Sequence, residues 1–155
     1  MLLHRLVALS VLIATAGAAQ RTAAQSRVVA TTLPQVDTTV VVRANGIEIA
    51  FDPALITLRQ GTRVRIRFIN VGLFAHNFVL VRNEDDIELL SAKAQDAPEH
   101  VPLMLKSKML AYSNLAEPTK SVETSFVVPP VGTYTYVCLV EGHANVMVGK
   151  LRSLP

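Results

Sequence analysis

The sequence predicts an all-β domain, a sandwich or barrel of short antiparallel strands, with one short helical insertion. Three observations carry that prediction. Apolar and polar residues alternate over short runs, the two-residue period of half-buried strands. Turn formers punctuate those runs at close spacing: Asn45-Gly46, Asp52-Pro53, Gln60-Gly61, Gly72 and Pro129-Pro130. The 155-residue chain is rich in Val, Ile and Leu, which excludes disorder as its main state and leaves room for one domain with a short appendage.

The first segment is not part of that domain. Half of the chain is apolar and the mean hydropathy is +0.36, but residues 1–24 hold much of the excess. His4 and Arg5 precede an apolar run, Leu6 to Ala14, and Ala16-Gly17-Ala18 and Thr22-Ala23-Ala24 follow as candidate cleavage sites. This is the layout of a secretory signal peptide, its apolar core short for a bilayer span. No later run is long and apolar enough to suggest a polytopic membrane protein. No cysteine follows the apolar run at which a lipid could be attached. The expected location is therefore periplasmic or secreted. Residues 25–37 are polar and aperiodic and read as a flexible segment, which leaves 38–155 as the folded domain.

Losing the leader also changes the charge. Removing Arg5 and Arg21 takes 15 basic residues to 13, against 12 acidic ones. A domain near neutrality lacks the concentrated positive charge that nucleic-acid binding requires. Arg63, Arg65 and Arg67 alternate with Val64, Ile66 and Phe68, so they read as the solvent face of a strand.

The elements then follow in order. Thr39–Arg43 is a strand ending at Asn45-Gly46, and Ile47–Phe51 alternates up to Asp52-Pro53. Leu55–Leu58 leads through Gln60-Gly61 into Arg63–Asn70, and His76–Val81 follows Gly72. Residues 84–117 differ. Glu84-Asp85-Asp86 precedes Ile87, Leu90 and Ala94 at helical spacing, and a further helical turn or two is expected around Leu103–Leu110. An excursion of this kind between two strands is most simply a flap at a sheet edge. Val122–Val128, Thr133–Cys138 and Val146–Leu151 complete the strands.

The chemistry gathers near the C-terminus. A single cysteine excludes an intramolecular disulfide, and a lone thiol exported to an oxidising compartment invites oxidation unless something holds it. Cys138 is followed by His143 and Met147, so thiolate, imidazole and thioether fall within one loop between predicted strands. His76 opens a strand far upstream. Two imidazoles, one thiolate and a weak thioether form the ligand set of a mononuclear blue-copper centre. Each residue also has a plainer reading: a buried thiol, a loop histidine, a core methionine. His76 in particular gains its meaning from the set it completes. His100, in the flap, belongs to no such pattern and reads as solvated.

With those residues in view, the chain resembles the cupredoxins. Its spacing C-x4-H-x3-M is similar to that of azurin and the auracyanins and differs from the plastocyanin type. Pro130 to Cys138, Gly142-His143 and Met147 to Gly149 resemble the family's last hairpin and ligand loop. His76-Asn77-Phe78-Val79-Leu80 resembles its first ligand segment, with Phe78 where Trp is more usual. The resemblance covers roughly Val40 to Leu151. It implies a Greek-key β-sandwich of about eight strands and one-electron transfer by one copper ion cycling between Cu(I) and Cu(II). It further implies ligation by His76, Cys138, His143 and, weakly, Met147. The Ala75 carbonyl would lie opposite Met147, and Asn77 would steady the ligand loop by hydrogen bonds. The protein is expected to be a monomeric carrier and not an enzyme. Transient redox partners would dock at an apolar end around His143, formed by Leu139, Val140, Ala144 and Val146, with Leu73 and Phe74 either exposed there or buried under the flap. The competing reading is a copper carrier or resistance factor with no electron-shuttle role. Multicopper enzymes need more histidines than the three left after the leader, and a binuclear centre needs a second thiolate.

Overall fold

In β4 (Arg63–Asn70) the alternation read from the sequence becomes structure. Val64, Ile66 and Phe68 are fully buried. Arg63 and Arg67 are exposed, and Arg65, half-buried, lies 3.6 Å from Glu123 of the neighbouring strand. The arginines are the solvent face of a half-buried strand, and an exposed pair of this kind contributes little to stability. The computed structural model describes residues 36–155. The expected signal peptide and nearly all of the expected 25–37 segment lie outside the described residues. Among the described residues no helix is long and apolar enough to cross a membrane.

Among the described residues, nine strands form two sheets. The first has the order β2-β1-β4-β7, with β1 at Thr38–Ala44, β2 at Phe51–Asp52 and β7 at Ser121–Val127. The second has the order β3-β9-β8-β5-β6, with β3 at Leu55–Arg59, β5 at Val79–Val81, β6 at Met109–Tyr112, β8 at Gly132–Val137 and β9 at Val148–Leu154. The chain passes repeatedly from one sheet to the other, as a Greek-key sandwich requires. Two pairings are parallel, β1 with β4 and β3 with β9, so the expected purely antiparallel arrangement is corrected to a mixed one. Both parallel pairs join strands separated by a crossing between the sheets, which a tight hairpin cannot do.

Between the sheets lies the main core. Val42, Ile66 and Phe68 face Phe78, Leu80, Tyr136 and Leu151. The Phe51 ring meets Phe68, Phe78 and Tyr136 edge-on, at centroid distances of 5.8, 6.1 and 5.0 Å. A second apolar cluster covers the other face of the second sheet. There Leu90 and Ala94 of α1 (Ile87–Ala94), with Val101, pack on Val79, Val81, Val137, Leu139 and Met109. The flap therefore lies across a sheet face and not at an edge. This is why β5 is buried along its whole length: both of its sides are covered.

Other expectations shift as well. Ile47–Ala50 is not strand, and Ile47 is 93% exposed. Asn45 binds Ala50 and Glu48 instead, closing the segment on itself before β2. The expected turns around Leu103–Leu110 are 3-10 helix at Leu103–Lys108 only, and Met109 begins β6. At the other end, β9 starts at Val148 because Val146 and Met147 belong to a turn that closes on His143.

Candidate metal centre

Cys138 stands one residue beyond β8, and its N–H donates to the Met147 carbonyl at 3.1 Å. The loop between them folds tightly. The His143 N–H donates to the Val140 carbonyl at 3.0 Å, and the N–H groups of Val146 and Met147 both donate to the His143 carbonyl. Gly142 turns the chain with a left-handed φ of 75°, a conformation that glycine adopts without the Cβ penalty. The loop thus returns Met147 to the core beside Cys138, and both are fully buried.

His76 arrives from the opposite side. It is not in a regular strand: among the described residues it pairs by a bridge to Ala116, with its N–H donating at 3.1 Å and its carbonyl accepting at 2.7 Å. Its Nδ1 lies 3.8 Å from the Cys138 sulfur, and that of His143 lies 3.6 Å from the same atom. One donor atom from each of His76, Cys138 and His143 lies within 4.8 Å of the others, and all three residues are buried. The structure brings these three sequence-chosen residues together, with Met147 packed in the same core.

Electrostatics at the site follow from burial. Burial, and then the charge of His143, lowers the His76 pKa to about 4. Burial, and then His100, lowers that of His143. Burial raises the Cys138 thiol to about 11, opposed by the N–H groups of Asn77 and Val140. Without metal the site therefore holds two neutral imidazoles and a protonated thiol at neutral pH. Imidazole nitrogens in that state are ready to ligate, and the thiol must release its proton to do so. A soft sulfur and two imidazoles converging in a buried space suit one copper ion.

Asn77 is hydrogen-bonded to the ligand loop: its Oδ1 accepts the Leu139 N–H at 2.8 Å. Sequence reasoning missed Asn70. Its fully buried amide donates to the carbonyls of Phe74 and Ala116, both at 2.7 Å, and its Oδ1 accepts the Gly72 N–H at 2.9 Å. It fixes the approach to His76 and the segment at Ala116 that His76 pairs with. The signal was present: Asn70 continues the inward parity of Val64, Ile66 and Phe68, and a polar residue there needs internal partners. His100 is half-buried and not solvated, and its Nδ1 is enclosed with no hydrogen-bond partner among the described residues. Leu73 and Phe74, left open between two positions, are 75% and 57% exposed, with the Phe74 ring 6.5 Å from that of His143.

A two-sheet sandwich with a buried cluster of two imidazoles and one thiol defines a class, that of the cupredoxins. The chain belongs to the copper binding proteins of the plastocyanin/azurin family, whose description matches residues 38–152. It is 36% identical to auracyanin-A of Chloroflexus aurantiacus over 118 residues, 73% of this chain and 72% of that one. The solved structure of auracyanin A, titled a "blue" copper protein, superposes with a TM-score of 0.71 at 35% identity, covering 75% of this chain and 98% of that one. The chain is also 32% identical to a plastocyanin of Synechococcus sp., covering 67% of this chain and 63% of that one. A fourth likeness is to the copper-resistant cuproprotein CopI of Rubrivivax gelatinosus, at 33% identity over 65% of this chain and 58% of that one.

Proposed function

We propose that the protein is a one-electron carrier working outside the cytoplasm, with a single copper held by His76, Cys138 and His143 and more weakly by Met147. The observation that carries this reading is the convergence of the three buried donors, both Nδ1 atoms facing one sulfur. Copper bound there supplies one-electron chemistry between Cu(I) and Cu(II). The chain's own residues do the rest. Cys138 gives up its proton, and the N–H groups directed at its sulfur favour the thiolate. The Ala75 carbonyl would add a weak oxygen contact to the bound ion, and the backbone before it is pinned by the Asn70–Phe74 bond. His143, 8% exposed, is the ligand edge nearest solvent. Exposed Val71, Leu73, Phe74 and Val146 supply a small apolar surface, which suits partners that dock briefly and separate. The reading as a carrier and not an enzyme rests on the histidine count. The periplasmic or secreted location rests on the leader-like 1–24 segment.

A copper-handling role is the second reading, favoured by the likeness to CopI. Met104 and Met109 do not form a methionine tract with the site: Met109 is packed in the flap core and Met104 is 83% exposed. One experiment addresses both readings. The Cu(II)-loaded chain should show an intense visible thiolate-to-copper band, and Cys138→Ser should abolish it. A band surviving in C138S would mean that another group binds the metal. On reduction in the presence of a Cu(I) chelator and reoxidation, a carrier regains its colour. A handling protein loses it.

A further inference from the structure

Taking Cys138, His76 and His143 as the copper ligands proposed above, we infer that the tip of the flap positions the metal centre, and that the Glu99 side chain sets that tip. At Pro98–His100 the chain takes an unusual course: Glu99 and His100 both have left-handed backbone, with φ of 57° and 51°. Two adjacent non-glycine residues in that region persist only where their surroundings over-determine them. Two ties do so here. The Glu99 carboxylate accepts the Leu115 N–H at 2.7 Å. The carbonyls of Glu99 and His100 each accept a hydrogen bond from Asn77 Nδ2 at 3.1 Å.

Asn77 links the tip to the ligand loop. Its amide is fully buried, with an NH2 end that only donates and an oxygen that only accepts. The two flap carbonyls can only accept, so they hold the NH2 end toward the flap. The oxygen is thereby directed at the Leu139 N–H, one residue past Cys138. Without those carbonyls the amide is free to turn over, setting donor against donor at Leu139. The Glu99 carboxylate reaches the same centre from its other side, because Leu115 precedes Ala116, the residue that bridges His76. One exposed side chain thus ties the flap to the segment supporting His76, and its backbone orients the amide supporting the Cys138 loop. Glu99 touches no ligand itself and is a positioning residue.

The test compares Glu99→Ala, Glu99→Gln and Glu99→Asp in the full chain. Gln keeps the reach and an acceptor oxygen but loses the charge, whereas Asp keeps the charge but is shorter by a methylene. The first readout, on metal-free protein, is hydrogen exchange at the Leu139 amide. It should quicken about tenfold in E99A, the effect of losing roughly one hydrogen bond, and also in E99D, while E99Q stays near wild type. The second readout is the reduction potential of the copper-loaded protein, which should move in E99A and E99D and hold in E99Q. A shift in E99Q as large as in E99A, with E99D unchanged, would show that charge and not position acts. Leu139 exchange unmoved in all three variants would equally overturn the inference. If E99A fails to fold, the E99D and E99Q pair decides alone. Failure of the copper reading is distinguishable, since it appears as a wild type with no visible band and leaves the exchange result standing.

Discussion

His76 owes its character to where it sits. It is 1% exposed and shares its space with a second imidazole and a thiol, so a proton on its ring lacks solvation and meets a like charge. In the metal-free chain its pKa is about 4, against an ordinary 6.5, and His143 is lowered in the same direction. Between those two values the unfolded chain binds a proton that the folded chain refuses. The stabilising contribution is therefore complete above pH 6.5 and is lost as the pH falls toward 4. Urea unfolding of metal-free protein should show a lower midpoint at pH 5 than at pH 7, and His76→Gln should flatten the difference. An equally steep dependence in the variant would place the titrating group elsewhere. At this scale the sequence was readable where residue types combine: Cys138, His143 and Met147 by spacing, and His76 as the imidazole that completes them. Asn70 and His100 escaped because their roles depend on what surrounds them. A lone Asn or His carries no mark of burial until the chain is folded around it.

The elements were legible where one face is buried and the other wet. β1, β4 and β7 alternate and were found nearly in full, as was β8, whose sequence alternates although its last three residues are all buried. β6 was not found, because Met-Leu-Ala-Tyr is apolar throughout and periodicity cannot separate such a run from a helical turn. His76–Phe78 looked like strand but, among the described residues, forms one bridge, from His76 to Ala116. The register of β8 with β9 sets Tyr136 opposite Gly149. The Tyr136 ring lies directly over that glycine: a Cβ there would stand 2.2 Å from ring carbons. The ring cannot retreat easily. It stacks on Phe78 at 4.9 Å, and its hydroxyl donates to the Pro53 carbonyl at 2.6 Å. Gly149→Ala should therefore cost about 1–3 kcal/mol by overpacking, measured by chemical denaturation. Because Tyr136 and Gly149 lie two residues from Cys138 and Met147, the visible band of the copper-loaded variant should shift as well. An Ala variant as stable as wild type would mean that the hairpin yields more than this packing allows.

Across the whole molecule, the two apolar clusters lie on opposite faces of the second sheet, and Cys138, one residue past the end of β8 in that sheet, packs in the main one. Ligands arrive from a tight loop and a pinned bridge, each tied to a buried amide, Asn77 or Asn70. Such a site resists rearrangement when its ion changes charge, which is what a rapid one-electron carrier requires. Rigidity alone does not make a carrier, because the electron must also leave. In the reading proposed above it leaves by way of His143, which is 8% exposed and has the Phe74 ring 6.5 Å from its own, at an apolar end to which exposed Leu73 and Val146 are assigned. If that apolar end is the docking surface, two copies of the protein should exchange electrons through it, patch against patch. Leu73→Glu places one carboxylate on each facing patch. Like charges brought together across an interface cost several kcal/mol, and each 1.4 kcal/mol is tenfold, so self-exchange between oxidised and reduced protein should slow by at least about tenfold. Leu73 is 75% exposed and outside the proposed ligand set, so the visible band should stay in place. Line broadening in mixtures of the two redox states measures the rate, and added salt should restore part of it by screening the new charges. A self-exchange rate unchanged by the substitution would move the docking surface away from the His143 end.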